Sequence, residues 1–232
     1  MKILRQLGPW FGVLVGAIAS PGVAHAGFTS FTTKASFDAA IAGLGAVQTV
    51  NFDSLASGTT FASGTGTGGL TFTYAIAGPS TLEVSSTFGT TSGADYLGLD
   101  NPDTAFYLGD SFTINFNRTV QAVGLYVIAG SDAQAGDMEL SAGGGSTFNS
   151  ASFDALVSDG QAFYLGLVQS DPLLGFTTAT VQMVFTPDAF LAVTVDDITS
   201  AVAGIPPVLE PETWALLAAG LGALALRRKR GR

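Results

Sequence analysis

The 232-residue chain has no cysteine and a single histidine, His25. Without cysteine there is no disulfide framework, no zinc–thiolate site and no thiol nucleophile. His25 falls in an N-terminal segment with the pattern of a removable leader, so the chain left after its removal carries no imidazole. That excludes Ser-His-Asp and Cys-His catalysis, and histidine-ligated metals, in one step. Both tryptophans, Trp10 and Trp214, lie in terminal hydrophobic segments, so the region between them offers a sugar no indole platform. Its tyrosines are Tyr74, Tyr96, Tyr107, Tyr126 and Tyr164, expected mostly on strands and half buried.

Cations are scarce as well. Of nine Lys and Arg, Lys2 and Arg5 precede the first apolar run, and Arg227, Arg228, Lys229, Arg230 and Arg232 follow the last one. Between the runs only Lys34 and Arg118 stand against sixteen acids, a net charge of −14. Such a body repels phosphate backbones, so no nucleic acid is expected as a partner. It suits divalent metals, polycations or plain solubility.

The two ends carry the clearest signals. Lys2 and Arg5 lead into an apolar stretch around Trp10–Ala19, then Pro21 and Gly22, then Ala24-His25-Ala26. A basic start, an apolar middle and an A-x-A site make a secretory signal peptide over residues 1–26, cut between Ala26 and Gly27. The alternative, a retained anchor, needs a longer run than this one, since a span takes about 20 residues. At the other end, Leu209-Glu210-Pro211-Glu212-Thr213 precedes a 13-residue apolar run, Trp214–Leu226, and then the basic cluster. As a helix at about 1.5 Å per residue the run is some 20 Å long, short of a hydrocarbon core of about 30 Å. Thr213 and snorkelling arginines extend it. The cluster marks the cytoplasmic end by the positive-inside rule. The alternative is a hydrophobic core helix, disfavoured because no face of Trp214–Leu226 is polar.

Between the ends, residues 27–205 read as one β-rich unit. Phe37, Ala40, Ile41 and Leu44 recur at helical spacing, with Thr33 or Ser36 as the cap and Gly43 and Gly45 as the stop. This short helix is expected to pack on one end of a sheet. From Val47 the period becomes two. Phe112, Ile114 and Phe116 alternate with Thr113, Asn115 and Asn117. Strands are expected over Leu70–Ala75, Thr81–Thr87, Ala122–Ile128, Ala162–Val168, Thr178–Thr186 and Phe190–Ile198. Turn clusters separate them, among them Gly143-Gly144-Gly145 and Ser170-Asp171-Pro172. Short strands with regular turns predict an all-β fold: an antiparallel, jelly-roll-like β-sandwich with one short N-terminal helix, plus a C-terminal hydrophobic helix in residues 206–232.

Few chemical constellations stand out. Gly64, Gly66 and Gly69 satisfy G-x-G-x-x-G but lead into a strand, where a nucleotide fingerprint needs a helix. Asp100-Asn101-Pro102-Asp103 is an acidic turn without the Gly and Glu of an EF-hand. Asp53, Asp196 and Asp197 form the more interesting set. Asp53 ends the first main strand and Asp196-Asp197 sits near the end of the last, and in a jelly roll those strands are often neighbours. Three hard oxygen donors meeting there suit Ca²⁺; the competing reading is a turn cap plus a solvated acid. A two-carboxylate hydrolase is the remaining enzyme option, with no pair of acids singled out for it.

The tail resembles the PEP-CTERM sorting signal: a Pro-Glu-Pro motif, a short Ala/Leu/Gly-rich apolar helix and a terminal arginine cluster. Leu209 replaces the first proline, leaving Glu210, Pro211 and Glu212. The segment "VNFDSLASGTTF", the pair in "DSFTINFNRTVQAVGLYVIAG" and the closing "FLAVTVDDIT" are similar to domains that many such proteins carry, and to jelly-roll carbohydrate-binding modules. The resemblance implies export through the secretion translocon of a Gram-negative-type bacterium. It also implies handling by an exosortase-like membrane enzyme while the tail is held in the membrane, and delivery to the cell surface or matrix. On this reading the domain is a non-catalytic component of an exopolysaccharide or biofilm matrix. The alternative it leaves open is a Ca²⁺-dependent carbohydrate-binding module.

Overall fold

A computed structural model describes residues 27–76, 78–184 and 192–204. The leader through Ala26, the sorting motif Glu210–Glu212, the apolar helix 214–226 and the cluster Arg227, Arg228, Lys229 and Arg230 lie outside the described residues.

The chain opens with β1 (Phe28–Phe31), α1 (Lys34–Ile41), β2 (Val47–Val50), β3 (Thr60–Phe61), β4 (Leu70–Ala75), β5 (Leu82–Ser85) and β6 (Tyr96–Leu99). It continues through β7 (Ser111–Val120), β8 (Ala122–Ala129), β9 (Met138–Ala142), β10 (Gly145–Phe148), β11 (Ala155–Val157), β12 (Gly160–Gln169), β13 (Phe176–Met183) and β14 (Val193–Ala201). A nine-stranded sheet runs β1-β12-β8-β14-β6-β5-β3, with β11 also on β12 and β2 also on β14. A five-stranded sheet runs β10-β9-β13-β7-β4. The pairings are antiparallel. Among the described residues the fold is an all-β antiparallel sandwich with one short helix.

Alternation explains how the layers meet. In β7, Phe112, Ile114 and Phe116 point into the core while Thr113 and Asn115 sit on the other face. Leu125 and Val127 of β8, Phe163 and Leu165 of β12, Phe72 of β4 and Val181 of β13 fill the same interior from both sheets. Each such side chain contributes about 1.5–3 kcal/mol by leaving water. β8 and β12 are apolar on both faces, because α1 covers their outer side with Phe37 and Ile41 against Ala122, Tyr126, Ala162 and Tyr164. Gly124 and Gly166 stand opposite each other in that pair. A Cβ on Gly166 would come within 2.7 Å of the Phe37 ring, so these glycines form the seat of the helix.

The helix therefore lies across a sheet face, whereas the pattern suggested a sheet end. Thr33 is its N-cap and accepts from Ser36 N at 3.4 Å. Ala40, expected on the buried side, is exposed. Of the expected strands Phe190–Ile198 and Thr178–Thr186, residues 190–191 and 185–186 lie outside the described residues; within them β14 runs on past Ile198 to Ala201, and β13 starts earlier, at Phe176. β6 was not anticipated: all four of its residues are buried, so it has no alternation to read. The turn expected at Gly143-Gly144-Gly145 is a two-residue hairpin joining β9 and β10. Gly143 and Gly144 have φ of 56° and 94°, the left-handed pair that such a tight connection requires.

Candidate functional site

β14 changes partners halfway. Val195 pairs with Leu97 of β6, whereas Ile198 pairs with Val50 of β2. The expected meeting of first and last strands thus occurs through β2 and the second half of β14. On its other edge Asp196 faces Tyr126 and Thr199 faces Gly124, so two residues of β14 oppose one of β8. This is a bulge, and Asp197 sits in it with φ of 52°. The bulge falls inside the strand, whereas the sequence pattern predicts these acids near its end. Beyond β2 the chain turns at Phe52, also left-handed at φ 60° with its ring buried, and presents Asp53.

All three expected aspartates are held by one loop, residues 90–95, which carries no ligand-type motif in the sequence. Asp196 Oδ2 accepts from Thr91 N at 3.0 Å, Thr91 Oγ1 at 2.9 Å and Ser92 N at 3.1 Å. The Thr91 hydroxyl also lies 3.1 Å from Asp197 Oδ2, one donor shared between two carboxylates. Asp53 Oδ1 accepts from Ala94 N at 2.8 Å and Asp95 N at 3.1 Å. Gly93 is packed so closely that a Cβ there would sit 2.5 Å from Asp53 Oδ1. The signal for this loop was the run Thr90-Thr91-Ser92-Gly93-Ala94-Asp95, small residues rich in donors, which reads as an ordinary turn.

The electrostatics differ across the cluster. Burial, and then repulsion from Asp197, pushes Asp196 up to about 6 against the pull of the Thr91 and Asp197 N–H donors. Burial also raises Asp197, opposed by the Thr91 hydroxyl and the Lys34 charge, with Asp53 adding to the rise. At Asp53 burial raises the carboxyl, but the N–H groups of Asp95 and Ala94 and the Ser92 hydroxyl outweigh it, so the net shift is downward. Nearby, Asp154 Oδ2 accepts from Tyr126 OH at 2.8 Å and from Lys34 N at 2.9 Å. This ties the start of α1 to the connection before β11.

The donor set is of the type a hard cation takes: carboxylates and hydroxyls. Among the described residues, however, no three acidic side chains have metal-holding spacing, and the N–H and O–H donors of the loop already occupy both Asp196 oxygens and Asp53 Oδ1. A cation here competes with those donors for the same lone pairs. Cavities of about 180, 370, 300 and 140 Å³ open elsewhere, and none of these four is lined by Asp53, Asp196 or Asp197.

The other motifs resolve locally. Asp100 accepts from Thr81 N at 2.5 Å, and Asn101 Oδ1 from Asp103 N and Ala105 N at 3.2 Å each, so that acidic turn caps backbone. The Gly64–Gly69 stretch is a turn segment, pinned at Thr65 by an isolated bridge to Phe72, that leads into β4 with no helix behind it. No protein-family model matches the chain, and no curated protein matches it.

Proposed function

We propose that this chain is an exported, non-catalytic β-sandwich protein of the cell surface or extracellular matrix. A C-terminal sorting tail of the kind exosortases process delivers it there. The observation that carries the reading is the order at the end of the chain: Glu210-Pro211-Glu212, an apolar run of 13 residues, then Arg227, Arg228, Lys229 and Arg230. The A-x-A site before Gly27 supplies the matching entry signal. A sandwich that fills its core from residues 28–202 supports the idea that both ends are dispensable for folding. The Asp196 oxygens, closed off by Thr91 and Ser92, argue against a free nucleophile or base there. The tail's partners are the translocon and an exosortase-like enzyme; the domain's partner is the matrix polysaccharide. Fractionation with intact-mass measurement of the native protein tests this. Surface material should begin at Gly27 and lack the terminal basic cluster. Surface material that begins at Met1 contradicts it.

Calcium binding by Asp53, Asp196 and Asp197 is a second reading, favoured by their convergence on one loop in a body of net charge −14. It makes the domain a Ca²⁺-dependent glycan binder. An extracellular site of this kind binds at about 10⁻⁴–10⁻³ M, so the domain should melt higher in millimolar calcium than in chelator. Equal melting leaves the three aspartates as hydrogen-bond acceptors only.

A further inference from the structure

Both ends of the described domain leave from one end of the sandwich. Gly27 N donates to Ser170 Oγ at 3.2 Å, and Ser170 N donates to Gly27 O at 2.9 Å. Gln169 N donates to Gln121 O at 2.8 Å, and Gln121 N to Ala201 O at 2.7 Å. These bonds join the start of β1, the β7–β8 corner, the end of β12 and the end of β14. From the same end hangs the loop Ser170–Gly175, with Leu173 86% and Leu174 47% exposed. The two leucines, with Gln121, Val202 and Ala203, line a cavity of about 300 Å³. Gln121 Nε2 donates to Gln169 O at 3.0 Å, but its buried Oε1 has no partner.

Leu173 and Leu174 set two adjacent apolar side chains in water beside the chain exit. Only residues 205–213 separate Gly204 from Trp214, a reach of at most about 36 Å even when fully extended. We propose that the Leu173-Leu174 loop rests on the surface of the membrane that holds the tail, so that this end of the sandwich faces the bilayer until the tail is processed. The inference rests on the reading of 214–226 as membrane-held. Two leucines bind lipid weakly by themselves, but the short tether keeps them at high local concentration over the bilayer. The domain's net charge of −14 selects against anionic lipid, so the surface is a zwitterionic one.

The absence of cysteine makes the test clean. Leu173→Cys, and Leu156→Cys on the β11–β12 hairpin at the opposite end of β12, are each labelled with a polarity-sensitive fluorophore in the full chain; Leu156 is 70% exposed. Each is mixed with phosphatidylcholine–phosphatidylethanolamine vesicles and floated, beside the same variants lacking 209–232. The expected result is flotation that depends on the tail, a blue shift at position 173 and no shift at 156. Tail-dependent flotation with no shift at 173, or with equal shifts at both positions, overturns the inference and leaves the tail reading intact. A full chain that floats no better than its truncation overturns the tail reading and the inference with it.

Discussion

β14 carries two kinds of cohesion within nine residues. Val193, Val195 and Ile198 join a core shared by both sheets, built from apolar area and indifferent to pH. Asp196 and Asp197, between them, are held by hydroxyl and N–H donors of a single loop. Core cohesion is spread over many contacts, so it survives small changes at any one of them. The carboxylate cluster depends on a few directional bonds, on a glycine that lets the loop approach, and on which carboxyl is ionised. Function that responds to conditions belongs to the second kind.

The largest effect is expected in the core. Phe72 is fully buried, against Phe61 and Phe112. Phe72→Ala should cost about 3–5 kcal/mol, read as a lower denaturant midpoint with an unchanged slope. A loss under about 1 kcal/mol would show the core to be loose rather than close-packed. Next comes the loop. Gly93→Ala drives a methyl into the Asp53 carboxylate and should cost about 1–3 kcal/mol by overpacking. Its signature is a faster amide exchange at Thr91–Asp95 than in the core strands. Uniform exchange across the domain would mean that the loop and the core are one unit.

The smallest expected effect is the pH dependence. Because burial raises the Asp196 carboxyl to about 6 from an ordinary 3.8, its protonated form is favoured in the folded state. The stability this gives is fully present below about pH 4 and is lost as pH rises through 6. Asp196→Asn removes that loss while keeping one acceptor for the Thr91 N–H. The variant should therefore compare better with the parent at pH 7.5 than at pH 4.5. The change should be on the order of 1–2 kcal/mol, less than the full shift implies because Asp197 titrates beside it. A difference between the two proteins that does not vary with pH would place Asp196 in contact with water.

Much of the core was legible because Phe112, Ile114 and Phe116 alternate and because β8 reads as an unbroken apolar run, as a strand covered on both faces must. The meeting of Asp53 with Asp196-Asp197 was also legible, since it needed only the neighbourhood of first and last strands. The loop that holds them was not. Its donors are largely backbone N–H groups, which every residue but proline carries, and its two hydroxyls look like those of any turn. The end of β14, which runs on to Ala201, and the unforeseen β6 share a cause: burial on both faces erases the period by which a strand's ends are found.

On the proposed reading, residues 27–204 are a self-sufficient sandwich and the ends serve delivery alone. Melting the chain from Gly27 with and without Leu209–Arg232 tests this directly. The two should unfold at the same temperature with the same cooperativity, and differ only in where they accumulate. A truncated domain that is unfolded, or that melts well below the longer chain, would place Trp214–Leu226 in the core and contradict the claim.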